Sequence, residues 1–204
     1  FVSFLPCAWI GEQMMSISSG LQVGFTINFP EEPETAQENI REIGPLGMIS
    51  LRAKADVKSL AKAIKAAVGT KVPAARRIEM AGDRGCGWMS PDEYLLILPY
   101  GETEAAMAAI AKAMGDDHHL AAVVSDARAV FRVEGAKAEQ VLAKLSPVDF
   151  AKLEPNELRR TRAAQVAAAM WRDEAGYTVV CFRSVAAYMM GLLTHSAAPG
   201  SELA

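Results

Sequence analysis

The sequence predicts an α+β protein built from two βαββα units, each a split βαβ (ferredoxin-like) arrangement, packed together. Three observations lead there. Tyr94 to Leu98 is apolar without alternation, which marks a strand covered on both faces and therefore central in its sheet, with helices against it. Val57 to Val68 and Thr103 to Met114 place apolar residues at helical spacing. The order strand–helix–strand–strand–helix then occurs twice, once in each half of the chain.

The totals set the bounds. A chain of 204 residues has room for one large domain or two small ones, at roughly 100–200 residues per domain. With 51% hydrophobic and 22% charged residues it can build a full core, which excludes a disordered chain. A net charge of −3 offers no broad basic surface for nucleic acid or acidic membranes. Cys7, Cys86 and Cys181 are odd in number, far apart and without C-x-x-C spacing, so neither a disulfide framework nor a zinc site is expected. A reduced, cytoplasmic setting fits that usage.

Residues 1–39 form an N-terminal arm and linker. Phe1 to Ile10 is apolar, but no Lys or Arg precedes Arg41, so the cationic flank of a signal peptide is missing. Gly11, Glu12 and Gln13 cut the run, well short of the roughly 20 residues of a membrane helix. Leu21 to Phe29 alternates weakly as an edge strand, and Pro30 to Glu34 is an acidic, proline-bearing linker.

The first unit spans residues 40–126. After the Gly44-Pro45 break, Leu46 to Arg52 reads as a strand. Asp56 is placed as the N-cap of a helix with Val57, Leu60, Ala61, Ile64 and Val68 inward, Lys58, Lys62 and Lys65 outward, and Gly69 as its stop. Arg76 to Met80 is a short strand, and Gly82 to Gly85 a hairpin turn. The next strand ends near Trp88 and Met89, because Pro91 lacks a donor N–H and Ser90 and Asp92 can hold a turn through the nearby backbone. Tyr94 to Leu98 follows. Thr103 is placed as the cap of a helix with Met107, Ile110, Ala111 and Met114 inward, and Leu120 to Val124 is a strand.

The second unit spans residues 127–196 and leaves 197–204 as a tail. Val130 to Val133 is a strand, Ala136 to Leu145 a helix, and Pro147 to Glu157 an irregular connection. Thr161 to Trp171 is read as one strand, although its alanines would suit a helix equally. Asp173 to Gly176 turns into the β-branched strand Tyr177 to Phe182. Ser184 is placed as the cap of a last helix with Val185, Tyr188, Met189, Leu192 and Leu193 inward.

Little of this carries chemistry. His118 and His119 are adjacent, so they point apart, and no third ligand is in view; a solvated loop is the reading. His195 belongs to the surface beyond the last helix. Gly82, Gly85 and Gly87 precede neither GK[ST] nor a helix, so a phosphate loop is not met. Arg159, Arg160 and Arg162 make a small cluster, read as a solvated or partner-facing surface in preference to an anion site. Cys86 and Cys181 fall in strands as small core residues. No Ser, His and Asp form a nucleophile arrangement. The expectation is a chain with no catalytic residue, no metal site and no cofactor of its own.

Several segments carry a resemblance. Gly44 to Arg52, the Trp88-Met-Ser-Pro-Asp-Glu-Tyr-Leu-Leu96 turn, Ala127 to Leu145, Pro147-Val148-Asp149, Thr161-Arg162-Ala163 and Arg183-Ser184-Val185-Ala186 resemble the gamma subunit of heterotetrameric sarcosine oxidase. The likeness covers about residues 40–196, and its most specific piece is Trp-x-x-Pro-Asp-Glu-Tyr-Leu-Leu. It implies an aminomethyltransferase-like fold, similar to the folate-binding domain of the glycine cleavage system. It also implies alpha, beta and delta partner subunits, in a complex that demethylates sarcosine to glycine, forming hydrogen peroxide and passing the one-carbon unit to tetrahydrofolate. The FAD, FMN, NAD and substrate pocket of such a complex belong to the alpha and beta subunits, so the resemblance assigns no catalytic residue here.

Two functions follow as expectations. The first is a non-catalytic structural subunit, inactive alone, whose apolar surplus goes into permanent interfaces. The alternative is a free-standing folate-binding or one-carbon transfer protein of the aminomethyltransferase type. For that reading Asp126, Arg128, Asp149 and Arg183, each near a predicted strand end, are the candidates to meet the pterin or glutamate; turn chemistry and solvation are the favoured account of them, because strand ends collect such residues anyway.

Overall fold

The computed structural model describes residues 38–201 and Leu203, so the readings of Phe1 to Ile10, Leu21 to Phe29 and Pro30 to Glu34 lie outside the described residues. The described chain opens with β1 (Glu38–Ile43) and β2 (Leu46–Arg52), then α1 (Leu60–Val68). A meander follows: β3 (Ile78–Ala81), β4 (Arg84–Ser90) and β5 (Glu93–Pro99). Next come α2 (Thr103–Met114), β6 (Leu120–Val123), β7 (Arg128–Gly135) and α3 (Ala138–Ala143). The chain closes with β8 (Leu158–Ala163), β9 (Val166–Arg172), β10 (Tyr177–Phe182) and α4 (Ala186–Ser196).

The strands form two antiparallel sheets of five, in the orders β3-β4-β5-β2-β6 and β8-β9-β10-β7-β1. The architecture is α+β, as expected. β5, the strand holding Tyr94 to Leu98, is the middle strand of its sheet, and all five of those side chains are buried. Its alternate residues enter different cores. Tyr94, Leu96 and Leu98 pack with Leu60, Ile64 and Val68 of α1 and with Ile110 and Met114 of α2. Leu95 and Ile97 turn the other way and meet Val130, Leu158, Trp171 and Val180 of the second sheet. In that sheet Phe131, Val133, Met170 and Val179 pack under α3 and α4 with Val141, Leu142, Met189 and Leu193. The result is four layers, with each sheet carrying helices outside and its partner sheet inside. The unalternating sequence of β5 follows from apolar cover on both sides, of which one is helical and the other is the second sheet.

The sheets come close because the contact includes a residue without a side chain. A Cβ on Gly87 of β4 would lie 2.7 Å from Leu158 Cδ1 of β8. The glycine therefore serves sheet-to-sheet approach, not a phosphate. The same edge is closed by backbone bonds, Ile78 N to Asn156 O at 3.0 Å and Leu158 N to Arg76 O at 2.9 Å.

The two halves exchange a strand. β1 precedes β2 in sequence but pairs with β7, and β6 precedes β7 but pairs with β2. Each half of the chain is thus a ββαβββα repeat whose leading strand joins the other half's sheet. Between its helices each repeat carries three strands, as the sequence reads element by element in the first half and against the two it reads in the second. The extra one in the second half arises because Thr161 to Trp171 is two strands, β8 and β9, joined at Ala164 and Gln165 with Ala164 at φ 49°. That turn has neither glycine nor asparagine to announce it.

Helix starts also moved. Asp56 lies in a turn and caps nothing; α1 begins three residues beyond Val57, after Ser59. Its buried face is Leu60, Ala63, Ile64, Ala67 and Val68, with Ala61 exposed, and Gly69 ends it at φ 77°. Thr103 is the first residue of α2, its hydroxyl donating to the Tyr100 carbonyl at 3.3 Å; Ala106 is buried where Ala111 is exposed. Ser184 lies in the short 3-10 turn Arg183–Val185 ahead of α4 and makes no capping bond.

Candidate functional site

The strand exchange brings strand ends together at one rim of the molecule. The turn Ser125–Ala127, between β6 and β7, packs against the turn Arg183–Val185, between β10 and α4. Ser125 is buried and fixes the rim: its Oγ accepts from Met48 N at 2.9 Å, while Val124 N donates to the Met48 carbonyl at 2.8 Å. Three of the four residues named from sequence meet here. Asp126 accepts from the Tyr100 hydroxyl at 2.9 Å, and that bond pushes the Tyr100 phenol above its ordinary pKa. Arg183 donates through Nε to the Arg128 carbonyl at 3.0 Å and pairs with Glu42 at 3.0 Å. Arg128 stacks on Phe182, its guanidinium carbon 4.2 Å from the ring centroid. The fourth residue, Asp149, belongs elsewhere, on the turn before Phe150–Lys152; a hydrogen bond from Lys152, 2.8 Å away, holds its carboxyl below the usual range.

Arg128 differs from its neighbours at this rim. Arg160 pairs with Glu93 at 3.2 Å across the gap between the sheets, and Ser50 donates to the same Glu93 at 3.3 Å. Arg52 pairs with Asp92 at 3.4 Å. Among the described residues the Arg128 side chain makes no hydrogen bond to an acceptor and has the Phe182 ring as its contact. Partial burial lowers its guanidinium from the ordinary value, and the nearby charge of Glu93 opposes that shift.

Several other polar groups are engaged structurally. Arg132, nearly buried on β7, donates to Asp173 at 2.6 and 2.9 Å, to Thr178 at 2.6 Å and to Glu134 at 3.2 Å. His119 Nδ1 lies 2.8 Å from the Asp117 carbonyl, and His118 is exposed. Among the described residues no group of three or more His, Cys, Asp or Glu is placed to hold a metal. Cys86 and Cys181 are buried free thiols; burial raises both, Cys181 to about 11. A shallow depression of about 290 Å³ lies between the end of α3 and the β8–β9 turn, lined by Lys144, Ser146, Arg162 and Gln165 among others.

Sequence reasoning found Asp126, Arg128 and Arg183 from their nearness to strand ends. It gave no site role to Tyr100 and Phe182, which have no motif, or to Glu93, although that residue lies in the Trp88 to Leu96 stretch; only the register and the strand exchange bring them to the rim.

Comparison with known proteins gives this arrangement a lineage. No curated protein matches the chain. The heterotetrameric sarcosine oxidase from Corynebacterium sp. U-96, solved with pyrrole 2-carboxylate, contains a chain that is similar at 25% identity and a TM-score of 0.73, covering 82% of this chain and 87% of that one. The glycine cleavage system aminomethyltransferase T from Bartonella henselae is similar in fold, with a TM-score of 0.58 at 14% identity. That likeness covers 78% of this chain but only 45% of the transferase. The family described as sarcosine oxidase, gamma subunit family matches residues 52–198, from the end of β2 to just past α4. With that match over most of the chain and the shared double-sheet fold, this protein belongs to the sarcosine oxidase gamma subunit family.

Proposed function

We propose that the chain is the non-catalytic structural subunit of a heterotetrameric sarcosine oxidase. Its partners are then the alpha, beta and delta subunits, which supply FAD, FMN, NAD, the folate site and the substrate pocket, while the complex demethylates sarcosine oxidatively in the cytoplasm. One observation carries the reading: apart from Arg128, the rim's ionisable groups named here are taken up pairwise inside the fold. Asp126 is held by Tyr100, Arg183 by Glu42, Arg160 by Glu93 and Arg52 by Asp92. Groups spent on neighbours are poorly placed to move protons at a substrate. Buried, reduced Cys86 and Cys181 fit a cytoplasmic setting. No helix among the described residues is long and apolar enough to cross a membrane.

The alternative, a free-standing folate-binding or one-carbon transfer protein, draws on the transferase-like fold and on Arg128, whose donors meet no acceptor among the described residues. Two measurements separate the readings. A pull-down from the native cell is expected to bring down a yellow, multi-subunit eluate with flavin absorbance. Calorimetry of the isolated chain with tetrahydrofolate is expected to give no heat of binding. Sarcosine oxidation by the isolated chain, or its saturable binding of tetrahydrofolate, would overturn the structural reading.

A further inference from the structure

The inner faces of the two sheets do not end together with their apolar core. Beyond Val130 and Val180, the second sheet continues with Arg128 and Phe182, which face one another in register. Beyond Met48 and Leu95, the first sheet continues with Ser50, Arg52 and Glu93, and Leu120 of the edge strand β6 lies opposite Arg52. The Arg160–Glu93 pair spans the gap, so these overhangs face each other as the two lips of one mouth.

The arginines of the mouth are not equivalent. Arg52, Arg160 and Arg183 each hold a carboxylate of this chain, whereas among the described residues Arg128 makes no ion pair and feels Glu93 only at longer range. An arginine with five donors, half withdrawn from water against an aromatic ring, is set up to bind a planar carboxylate. The ring beneath it is itself wet: Phe182 is 49% exposed, and Leu120 on the opposite lip is 60% exposed. Aromatic and arginine side chains exposed together are the composition of an interface centre.

We infer that this mouth is a docking surface for a partner subunit of the complex, seating an acidic side chain on Arg128 with an apolar neighbour against Phe182 and Leu120. Charge complementarity selects the occupant. Arg128, with its donors unfilled among the described residues, calls for a carboxylate, and the exposed Phe182 and Leu120 call for apolar contact that a free small acid would not supply. The inference rests on the proposed place of the chain in a multi-subunit enzyme.

The test is co-expression of the full chain with the other subunits, followed by salt titration of the purified complex and native mass spectrometry. Arg128→Glu is expected to lower the salt concentration that releases the chain, with about a tenfold loss of affinity for Arg128→Ala and more for the charge reversal. Phe182→Ala is expected to weaken the complex without changing its salt dependence. Arg162→Ala, an arginine with no ion pair among the described residues that lines the depression beside α3, is the control and is expected to match wild type. Circular dichroism of each variant alone checks folding. Arg128→Glu and Phe182→Ala complexes that are both indistinguishable from wild type would overturn the docking surface while leaving the subunit assignment intact. A wild-type chain that never enters a complex would instead sink the subunit assignment. Loss of tetrahydrofolate binding in Arg128→Ala, with assembly unchanged, would hand the site to a small ligand and overturn the inference.

Discussion

Replacing Arg132 by methionine isolates the contribution of the charged cluster at the far end of the inter-sheet layer. Methionine keeps the aliphatic length and removes the charge and all donors. The Arg132 side chain is 8% exposed and that of Asp173 40%. Removing one member of a fully buried pair typically costs about 3–5 kcal/mol, because the other charge is left uncompensated. Here Asp173 keeps bonds from Ala175 N at 2.9 Å and Gly176 N at 3.1 Å, and its exposure lets water replace part of the loss. The expected cost at neutral pH is therefore lower, about 2–3 kcal/mol. The variant should also change the acid limb. Burial alone would raise the Asp173 pKa; hydrogen bonds from Arg132 and the two amides outweigh it and hold the carboxyl low. A depressed folded-state pKa contributes stability that is present above the unfolded value, about 3.9, and is lost as pH falls through the folded one. Without Arg132 that contribution goes, so the gap between wild type and variant should be widest near neutrality and narrow below about pH 4. Urea unfolding followed by the fluorescence of Trp171, which lies opposite Thr178 in the sheet, reads both effects. A gap below about 0.5 kcal/mol at neutral pH, the scatter of ordinary surface substitutions, would refute the reasoning. So would a gap that stays constant into acid.

Gly87→Val would force a branched side chain into the space now filled by Leu158 Cδ1 in the buried layer between the sheets, so Leu158 must shift. Overpacking of this kind costs about 1–3 kcal/mol, so calorimetry should find the melting point lowered by roughly 2–4 °C per kcal/mol. A melting point equal to wild type would mean the sheets are not held at that distance. Cys86 and Cys181, buried and raised by burial, should resist an aromatic disulfide reagent at mildly alkaline pH in a Cys7→Ser chain until denaturant is added. Labelling of either thiol in the folded protein would contradict their placement.

The parts of the fold that could be read from sequence were those decided by local burial. Leu46 to Arg52 and Tyr177 to Phe182 were legible to the residue because their side chains are apolar on both faces or β-branched. The β8–β9 hairpin was not, since an alanine-rich run carries no turn residue and Ala164 adopts its left-handed conformation unannounced. Caps at Asp56 and Ser184 failed for a related reason: a residue type suited to capping also suits the turns ahead of a helix, and tertiary packing chooses between them. The rim illustrates the same division. Arg128 and Arg183 stand near strand ends, but the stacking of Arg128 on Phe182 depends on β10 pairing with β7, and the Arg183–Glu42 pair on β1 crossing to β7, which no local pattern encodes.

The exchange of β1 and β6 has a consequence for how such a protein can change. A polypeptide severed between the repeats would yield two fragments, each carrying a strip of its sibling's ladder and lacking one of its own. Neither fragment could be inherited, recombined or melted separately, so any surface that evolution reshapes on one half must be accommodated by the interlocked whole.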